Sequence, residues 1–459
     1  MQKQQIQTLV QKQKAYFRSG RTLDVNARIS ALRNLKQSLI NNEQLIYQAL
    51  KTDLGKSETE SYMCEFGLVM SELNFMLKNT RRFSREKRVR TPLSQYVSRS
   101  FVKPSPKGVI LIMSPWNYPF MLTIDPLVDA LSAGNTAIIK PSAYAPATSQ
   151  IIEKVIRETF DEQVVAVVSG GRAENQALLE QPFDHIFFTG SQNVGKEVLR
   201  KSAEHLIPAT LELGGKSPCI VEKSANLALA ARRIVFGKFL NCGQTCVAPD
   251  YILCDESIVD KLKPLLIKEI RRQFTETPLT NENYGKIINR KHFDRLSSLL
   301  QHHEVLYGGN TEEQTCRIEP TILDHCDWNS EIMEDEIFGP LLPILTYSDL
   351  DQALETINSR PHPLALYIFS SDSRIIRHVT EFCPFGGGCI NDTIIHLATT
   401  QMGFGGFGSS GMGAYHGKVG FDTFSHHKSI VDKKTWLDLP MRYQPYTALY
   451  DRLIRLFLR

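Results

Sequence analysis

The spacing of hydrophobic residues changes along the chain, close to residue 108. Before that point apolar side chains recur at helical spacing, for example at Ile29, Leu32, Leu35 and Leu39. This pattern predicts that residues 1 to about 82 are mainly helical. The segment "SQYVSRSFV" then alternates polar and apolar residues, which predicts an exposed strand from about Gln95 to Val102.

From Gly108 onward the apolar residues form short, β-branched runs. These runs are "GVILIM", "TAIIK", "QVVAVVS" and "HIFFTG", and helical stretches such as "APATSQIIEKVIRETF" separate them. Buried runs that alternate with helices predict a parallel sheet with crossover helices, and ligands bind such sheets at the carboxyl ends of the strands. A second mixed α/β region is expected from about Gly214 to about Asn391.

The last part of the chain is rich in glycine. Phenylalanine, methionine and tyrosine are interleaved with the glycines of "GFGGFGSSGMGAYHGKVG", which favours an ordered, closely packed loop over disorder. Short strands are predicted after this loop. The tail "ALYDRLIRLFLR" is amphipathic and basic, and packing on the protein is favoured over contact with a membrane.

Length and composition indicate an ordinary globular protein. The chain has 459 residues, which suggests roughly two or three domains, and 42% of its residues are apolar. A net charge of +4 is too small to argue for nucleic-acid binding, and the basic run from Arg81 to Arg90 is interpreted as a solvated face or linker. No stretch is long and apolar enough to cross a membrane, and we expect a cytoplasmic protein with reduced cysteines.

A first candidate site lies in "FFTGSQNVGKEVLRKSA". A strand is expected to end at Thr189, Gly190 and Gly195 flank a turn, and a helix follows. Free N–H groups at the start of a helix can hold a phosphate, and glycine lets the ligand approach. The glycine spacing matches neither the usual dinucleotide-binding fingerprint nor a P-loop. A plain turn between a strand and a helix is therefore an equal alternative.

Two cysteines, Cys242 and Cys246, lie in the segment "KFLNCGQTCVAPDYILC". A zinc site needs a second pair of ligands, and no cysteines or histidines elsewhere supply one at a convincing spacing. A disulfide is disfavoured in a reducing compartment. Two buried, inert thiols are the main alternative to a reactive cysteine. The tight, polar stretch "GQTC" favours exposure of a sulfur beside backbone N–H donors.

Two further side chains can take part in catalysis. Glu212 in "TLELGGKSP" closes a predicted strand before two glycines, and a carboxylate there can act as a general base. From this stretch alone, a solvated loop glutamate is the preferred interpretation. Asn117 in "SPWNYPF" lies between a strand end and a helix start. Its amide can donate to an oxygen that gains negative charge, or it can cap the helix.

Taken together and in this order, the motifs carry a family resemblance. The chain resembles the aldehyde dehydrogenase superfamily, from its N-terminus to about Ser429, in "SPWNYPF", "KPS", "FTGSQNVG", "LELGGKSP", "GQTC" and "EIFGPLLPI". The endings "NDTIIH" and "GSSGMGAYHGKVGFDTFSHHKS" are most similar to the class 3, fatty-aldehyde-type branch. The chain departs from many relatives at Ala143, where they carry Glu, and in "MGFGGFG".

The resemblance implies oxidation of an aldehyde to a carboxylic acid. Cys246 matches the nucleophile of the family, and Cys242 is a bystander. The Asn117 amide and the Cys246 N–H are expected to hold the oxyanion of the thiohemiacetal. Hydride then passes to the nicotinamide of NAD or NADP, and Glu212 activates the water that hydrolyses the resulting thioester. No metal is implied.

The resemblance also assigns the cofactor residues. They are Lys140 at the adenosine ribose, Gly190, Ser191 and Gly195 at the pyrophosphate, Glu336 at the nicotinamide ribose and Phe338 near the nicotinamide ring. At Ala143 the carboxylate that repels a 2′-phosphate in many relatives is missing. Arg172 in "VSGGRAENQ" is interpreted as a phosphate ligand or as a solvent-exposed helix start. If Arg172 binds the phosphate, NADP is expected to be accepted at least as well as NAD.

The fold implied by the resemblance is α/β and aldehyde-dehydrogenase-like. A Rossmann-type, parallel-sheet cofactor domain would comprise residues 1–82 and 104–212, and an α/β catalytic domain residues 213–395. A small β extension for oligomerisation would comprise residues 83–103 and 415–440. We expect a homodimer, because exposed strands of this kind tend to pair with another subunit.

Other functions compete with this interpretation. A CoA-acylating relative would transfer the acyl group to CoA, but such relatives typically lack the carboxylate in the position of Glu212. A non-catalytic binding protein on the same fold would have no need to keep Cys246, Asn117 and Glu336 beside that carboxylate. A cysteine hydrolase would need a histidine partner, and no motif supplies one.

Overall fold

The computed structural model describes residues 1–458, so Arg459, the end of the amphipathic tail, lies outside the described residues. The α-helices are α1 (Lys3–Arg18), α2 (Val25–Asn41), α3 (Glu43–Leu54), α4 (Glu58–Ser61), α5 (Gly67–Phe83), α6 (Met121–Ala133), α7 (Pro146–Thr159), α8 (Arg172–Leu179), α9 (Gln192–Glu204), α10 (Leu227–Phe239), α11 (Val259–Phe274), α12 (Arg290–Gln301), α13 (Leu350–Asn358), α14 (Ser373–Phe382), α15 (Gly417–Thr423) and α16 (Ala448–Phe457). A π-helical turn, Tyr62–Phe66, joins α4 to α5. The helices from α1 to α5 confirm the predicted helical N-terminal region.

The strands form three larger sheets and one small ribbon. They are β1 (Lys87–Val89), β2 (Ser98–Pro106), β3 (Val109–Met113), β4 (Thr136–Lys140), β5 (Val165–Val167), β6 (His185–Gly190), β7 (Ala209–Leu213), β8 (Pro218–Val221), β9 (Tyr251–Asp255), β10 (Glu304–Tyr307), β11 (Thr311–Glu312), β12 (Arg317–Ile318), β13 (Thr321–Asp324), β14 (Leu341–Tyr347), β15 (Ala365–Phe369), β16 (Gly387–Ile390), β17 (Gly411–Met412) and β18 (Ser425–Lys433). The runs predicted as buried strands after Gly108 all form strands.

The first sheet is parallel apart from one edge strand. Its order is β17-β7-β6-β3-β4-β5, and β17 runs antiparallel to β7. The continuous apolar run of β3 is buried because helices cover both faces of the sheet. Ile110 and Ile112 join a core cluster with residues of α5 and α6, whereas Val109 and Leu111 join a cluster with residues of α1 and α8. The predicted parallel sheet with crossover helices is confirmed.

The carboxyl ends of these strands carry polar residues of interest. Strand β4 ends at Lys140 and β6 at Gly190, one residue later than predicted. Glu212 is the next-to-last residue of β7, and the sheet register places it beside Thr189 on one side and Gly411 on the other. The parallel arrangement therefore brings three sequence-distant motifs to one edge of the sheet.

The second sheet has the order β10-β13-β14-β9-β8-β15-β16. Strand β10 is antiparallel to β13, and the other neighbours are parallel. Its strands lie between Pro218 and Ile390, which confirms the second mixed α/β region. The loop with Cys246 connects α10 to β9 and so leads directly into this sheet.

A third sheet, β1-β2-β18, is antiparallel and corrects one predicted boundary. The strand expected from Gln95 begins at Ser98, after a 3₁₀ turn at Leu93–Gln95. Val97 has a φ of 62°, so the chain turns there and can become extended only after it. The basic run near this sheet is exposed, as predicted.

The glycine-rich segment contains a helix that the sequence pattern did not predict. Helix α15 begins at Gly417, although glycine disfavours helices. Tertiary contacts explain it: a Cβ at Gly420 would lie 1.8 Å from a carboxylate oxygen of Asp129, so only glycine lets α15 approach α6. The N–H of Gly417 also donates to Glu72 Oε1 at 2.9 Å. The loop interpretation was therefore wrong for residues 417–420, and residues 421–423, expected to be strand-like, continue the same helix.

The C-terminal helix α16 lies near the third sheet, beside the turns at Pro440–Arg442 and Leu93–Gln95. None of its residues is buried, and Leu449 and Leu456 are 63% and 69% exposed. The helix thus contacts the protein, as the sequence favoured, while these two leucines stay exposed. Across residues 1–458, no helix is long and apolar enough to cross a membrane.

Candidate active site

Cys246 lies in a turn of the loop between α10 and β9. The N–H of Ala248 donates to the carbonyl of Thr245 at 2.9 Å and closes this turn. Upstream, Asn241 and Cys242 have φ values of 51° and 53°, in the left-handed region. The bent loop leaves Cys246 partly exposed, whereas Cys242 is 2% exposed. Of the two sulfurs, that of Cys246 is the accessible one.

Cys246 lies where two cavities meet. The first has a volume of about 320 Å³ and is lined by Cys246 together with Asn117, Glu212, Gly190 and Glu336. The second has a volume of about 150 Å³ and is almost entirely apolar. Its lining includes Leu68, Met121, Leu122, Phe236, Ile394 and Phe404, beside Cys246. The predicted nucleophile, oxyanion donor and base thus line one cavity, and an apolar cavity adjoins the nucleophile.

Glu212 is buried at the end of β7. Its side chain is 3% exposed, and neither carboxylate oxygen has a hydrogen-bond partner among residues 1–458. The interpretation of Glu212 as a solvated loop residue was therefore wrong. Burial raises the pKa of this carboxyl well above its usual range. A buried polar group without a protein partner calls for a water molecule or a ligand beside it.

Asn117 lies between β3 and α6, and it does not cap the helix. The N-cap of α6 is Phe120, so the alternative role in helix capping was wrong. Its Nδ2 instead donates to the carbonyl of Gln244 at 3.1 Å. This contact uses one of the two N–H bonds of the amide and ties Asn117 to the loop of Cys246.

The environment of Cys246 favours the neutral thiol. Burial raises the pKa of the thiol, and the nearby Glu336 and Glu212 carboxyls raise it further. The backbone N–H groups of Cys246 and Val247 act in the opposite direction. Because the thiolate is the nucleophilic form, a neighbouring base must accept the proton before or during attack.

The start of α9 fits the phosphates of a dinucleotide. Ser191 is the N-cap residue, and its side chain makes no capping hydrogen bond to the helix. Ser191, Gln192 and Asn193 line a further cavity of about 340 Å³, which shares Ser191, Gly214 and Glu336 with the cavity of Cys246. N–H groups at a helix start bind anions, so these residues fit a pyrophosphate.

Gly195 lies one turn into α9. A Cβ at this position would lie 2.8 Å from a methyl carbon of Leu213, at the end of β7. Glycine therefore lets the helix pack closely on the strand that carries Glu212. Gly195 does not line either of the polar cavities, whereas Gly190 and Ser191 do.

Glu336 is half-buried and lies against Gly214. A Cβ at Gly214 would be 2.0 Å from Glu336 Oε2, so glycine makes room for the carboxylate. The pKa of Glu336 is raised to about 8, first by burial and then by the Asp250 carboxyl, while the Gly215 N–H acts in the opposite direction. The Nζ of Lys216 bonds to Asp250 Oδ2 at 2.6 Å and to the carbonyl of Asp335 at 2.9 Å. These two contacts hold the main chain directly before Glu336 in place.

Aromatic side chains also line the cavity that contains Cys246 and Glu336. Phe338 has a φ of 50°, and its ring packs edge-on against Trp116 with centroids 5.3 Å apart. Trp116 also contacts the ring of His292 at 5.0 Å. The pKa of His292 is lowered to about 4, first by burial and then by Arg295. His292 lines the cavity as a neutral ring and is packed against Trp116.

The residues expected at the adenosine ribose lie apart from these cavities. Lys140 is 4% exposed, burial lowers its pKa to about 8, and the carboxylate of Glu174 acts in the opposite direction. Ala143 and Arg172 are exposed, and Arg172 is the first residue of α8. Glu174, which sequence reasoning missed, accepts from the Gly171 N–H at 2.8 Å. Charges of both signs therefore lie near the position assigned to the ribose.

Sequence reasoning missed several other residues of the site. Lys216 and Trp116 lie within two motifs that were recognised, "LELGGKSP" and "SPWNYPF", so their position in the sequence was a usable signal. His292 and Arg295 belong to α12 and to no motif, and only the fold brings them to the cavity. Within residues 1–458 no three His, Cys, Asp or Glu side chains are arranged to hold a metal ion, and the nine cysteines are free.

Comparison with known proteins gives consistent matches. The model of the aldehyde dehydrogenase family matches residues 1–430. 4,4′-Diaponeurosporen-aldehyde dehydrogenase of Staphylococcus aureus (strain NCTC 8325 / PS 47) is 46% identical over 446 residues, which cover 97% of both chains. Aldehyde dehydrogenase family 3 member A2 of Rattus norvegicus is 43% identical over 92% of this chain and 88% of its own length. The solved substrate-bound state of Staphylococcus aureus AldH has a TM-score of 0.98 and 45% identity, and the match covers 99% of both chains.

Proposed function

The chain belongs to the aldehyde dehydrogenase family, and from this premise we propose that Cys246, Glu212 and Asn117 carry out its reaction. The enzyme oxidises aldehydes with NAD or NADP. One observation carries the assignment of residues. The accessible sulfur of Cys246, the amide of Asn117 and the unpartnered carboxylate of Glu212 line the same cavity.

The first half of the reaction takes place at the Cys246 sulfur. Its thiolate attacks the aldehyde carbon, so a C–S bond forms and the carbonyl oxygen gains negative charge. The Asn117 amide and the Cys246 N–H donate to this oxyanion. Bound NAD or NADP, which Gly190, Ser191 and Glu336 would hold, would supply the acceptor for the hydride that leaves this carbon. Cys246 then carries a thioester.

The second half of the reaction regenerates the Cys246 thiolate and transiently protonates Glu212, which returns its proton to solvent. Glu212 takes a proton from water, and the water oxygen attacks the thioester carbon. The C–S bond breaks, and the carboxylic acid leaves. The unpartnered oxygens of Glu212 support this role, because they leave its carboxylate free to bind a water molecule. A carboxylate in this position also favours water over CoA as the acyl acceptor.

The covalent intermediate can be trapped directly. We expect a mixture of enzyme, aldehyde and cofactor, quenched with acid after one turnover, to carry an acyl group on the peptide that contains Cys246. Mass spectrometry of the digest locates the added mass. An acyl group on another residue, or aldehyde oxidation without any adduct under conditions that stabilise a thioester, would contradict the assignment.

The apolar cavity beside Cys246 supports an apolar aldehyde as the substrate. Its lining contributes aliphatic and aromatic side chains, and transfer of an alkyl chain from water to such a surface is favourable. The Staphylococcus aureus relative is named for a 4,4′-diaponeurosporen-aldehyde, which is consistent with a preference of this kind.

Leu68→Gln tests the apolar cavity. Leu68 is half-buried and lines the cavity, so a polar amide there should disfavour an alkyl chain. We expect kcat/KM for decanal to fall about tenfold or more, and kcat/KM for acetaldehyde to change little. Steady-state kinetics with both aldehydes give the two ratios. An equal loss for both substrates would indicate a general defect and count against the proposed cavity.

The choice between NAD and NADP depends on opposing charges near Lys140. The Arg172 guanidinium favours a 2′-phosphate and the Glu174 carboxylate disfavours one. Ala143 lacks the carboxylate that repels a 2′-phosphate in many relatives. The hypothesis is that NADP is accepted at least as well as NAD. We expect Arg172→Ala to lower the ratio of kcat/KM for NADP over NAD, and Glu174→Gln to raise it. A wild-type preference for NAD above roughly tenfold, or ~1.4 kcal/mol, would refute the hypothesis.

The wider assignments rest on the family resemblance. The division into a cofactor domain (1–82 and 104–212), a catalytic domain (213–395) and an extension (83–103 and 415–440) is part of the proposal. Its exposed strand β18 supports pairing with a second copy in a homodimer. A cytoplasmic location completes the proposal. Sedimentation of the purified protein tests the dimer.

A further inference from the structure

An ion pair without access to solvent lies behind the site. The side chains of Lys56 and Glu65 are 0% exposed, and Lys56 Nζ lies 2.5 Å from Glu65 Oε1. Removing two charges from water is costly, so a buried pair is weak evidence for stability and calls for another explanation. Glu65 belongs to the π-helical turn, Tyr62–Phe66. Such turns are rare and frequently occur at functional sites.

Both members of the pair hold the main chain around Asn117. Lys56 Nζ donates to the carbonyl of Asn117 at 3.1 Å. Glu65 Oε2 accepts from the N–H groups of Phe120 and Met121 at 2.9 and 3.1 Å. These N–H groups begin α6 and have no partner within the helix. The ion pair thus fixes the backbone at Asn117 and again directly after it.

A third contact reaches the same carbonyl from the loop of Cys246. Asn241 Nδ2 donates to the carbonyl of Asn117 at 2.8 Å and to the carbonyl of Gln244 at 3.1 Å. The amide of Asn117 donates to the same Gln244 carbonyl. The left-handed conformation of Asn241 is therefore held by contacts that join the two catalytic segments.

Tyr118 adds a link between the ion pair and the nucleophile. Its ring centroid lies 4.0 Å from Lys56 Nζ, and its hydroxyl oxygen lies 2.6 Å from Thr245 Oγ1. Thr245 directly precedes Cys246. The ammonium of Lys56 therefore contacts Tyr118, the residue after the oxyanion donor. Tyr118 in turn contacts Thr245, the residue before the nucleophile.

We propose that Lys56, Glu65 and Asn241 form a buried clamp that positions the Asn117 amide against Cys246 for binding of the oxyanion. This inference rests on the proposed function, which gives Asn117 its role. The three residues contact the main chain of Asn117 and its neighbours and act as positioning residues. Because oxyanion stabilisation depends on donor geometry, small displacements of Asn117 should slow the chemical step.

The paired variant Lys56→Met/Glu65→Gln tests the clamp. It removes both charges of the pair together, so neither Lys56 nor Glu65 is left buried without the other. Methionine fills the space of the lysine stem, and the glutamine carbonyl can still accept from the start of α6. The control is Lys263→Met/Asp324→Asn, because that pair is also a Lys–carboxylate contact, at 2.7 Å, is partly buried, and lines neither cavity of the site.

The readout is the single-turnover rate of reduced-cofactor formation with saturating aldehyde. We expect the paired variant to lose about 10²-fold in this rate, while its cofactor dissociation constant stays within about twofold of wild type. The control pair should keep the wild-type rate. An unchanged rate in the paired variant would overturn the clamp.

A double-mutant cycle separates positioning from a merely structural role. If the clamp acts through Asn117, the paired variant should cause little further loss in an Asn117→Ala background. Losses that multiply would overturn the clamp, although the role of Asn117 would stand. Wild-type rates in Asn117→Ala alone would instead refute the proposed function, so the two failures are distinguishable.

Asn241→Gly provides a second variant if the paired variant does not fold. Glycine adopts a positive φ without strain, so the substitution removes only the amide that donates to Asn117. We expect a reduced single-turnover rate and again little further loss in the Asn117→Ala background. A wild-type rate in Asn241→Gly, or losses that multiply with Asn117→Ala, would overturn the clamp.

Discussion

Cys246→Ala is expected to lose aldehyde oxidation by about 10⁴-fold or more, because Cys246 is the one cysteine that lines the cavity of Asn117 and Glu212. Alanine removes the nucleophile but leaves the backbone N–H groups and both cavities in place. Cofactor binding should therefore remain close to wild type. Rates with an aliphatic aldehyde, and cofactor titration followed by protein fluorescence, measure the two effects separately.

Cys242→Ala is the matched control for this experiment. Cys242 lies four positions earlier in the same loop, is 2% exposed, and burial raises the pKa of its thiol. It lines neither cavity of the site, so its loss should leave most of the activity. Substantial oxidation by Cys246→Ala would show that Cys246 is not the nucleophile. Complete loss of activity in a correctly folded Cys242→Ala variant would also contradict the assignment.

The architecture was predictable where local patterns and tertiary structure agree. The run of β3 is apolar at every position because both faces of the sheet are covered, and such runs are readable without a structure. The strand that begins at Ser98 was placed too early because the positive φ of Val97 is not encoded in alternation. Helix α15 was missed because glycine disfavours helices, whereas here Gly420 allows a close approach to Asp129 that the sequence pattern does not reveal.

The candidate site was predictable only in part, for a related reason. Glu212 lies at the carboxyl end of β7 and Asn117 follows β3, where a parallel sheet gathers ligand-binding residues, whereas Cys246 lies in the loop before β9. We expected these three side chains to lie close together, and they line one cavity. Whether Glu212 was buried or solvated could not be read from "LELGGKSP", because its burial depends on β6 and β17 on either side.

The residues around the site are harder to predict from the sequence. Lys56 and Glu65 lie among polar residues of the N-terminal helices, where composition predicts a solvated surface. Their side chains are buried because α6 and the Asn117 segment cover them, which only the assembled fold can show. Glu174 was missed because Lys140, at the end of β4, comes close to it only in the folded chain.

Glu212→Gln is expected to separate the two halves of the reaction. Glutamine keeps the shape of the side chain but cannot accept a proton from water, so hydrolysis of the thioester should slow by roughly 10²–10⁴-fold. Formation of the thioester does not need this proton transfer and should change much less. Rapid mixing should therefore show a burst of reduced cofactor of about one equivalent, followed by a slow steady state.

The pH dependence of the second phase should change with the same substitution. Burial raises the pKa of Glu212, and only the ionised carboxylate can act as a base. The wild-type hydrolysis rate should therefore rise with pH as the carboxyl loses its proton, and reach a plateau above its pKa. In Glu212→Gln this rise should disappear, which can be followed by stopped-flow measurements across a pH series.

Glu222→Gln provides a matched control for both measurements. Glu222 is also 3% exposed and also lies at the end of a parallel strand, but its carboxylate accepts from the Ser224 N–H at 3.0 Å and from Ser370 Oγ at 2.8 Å. It lines neither cavity of the site, so both phases should keep their wild-type rates. Equal slowing of burst and steady state in Glu212→Gln would mean that this carboxyl also acts before the thioester forms, for instance by accepting the thiol proton of Cys246.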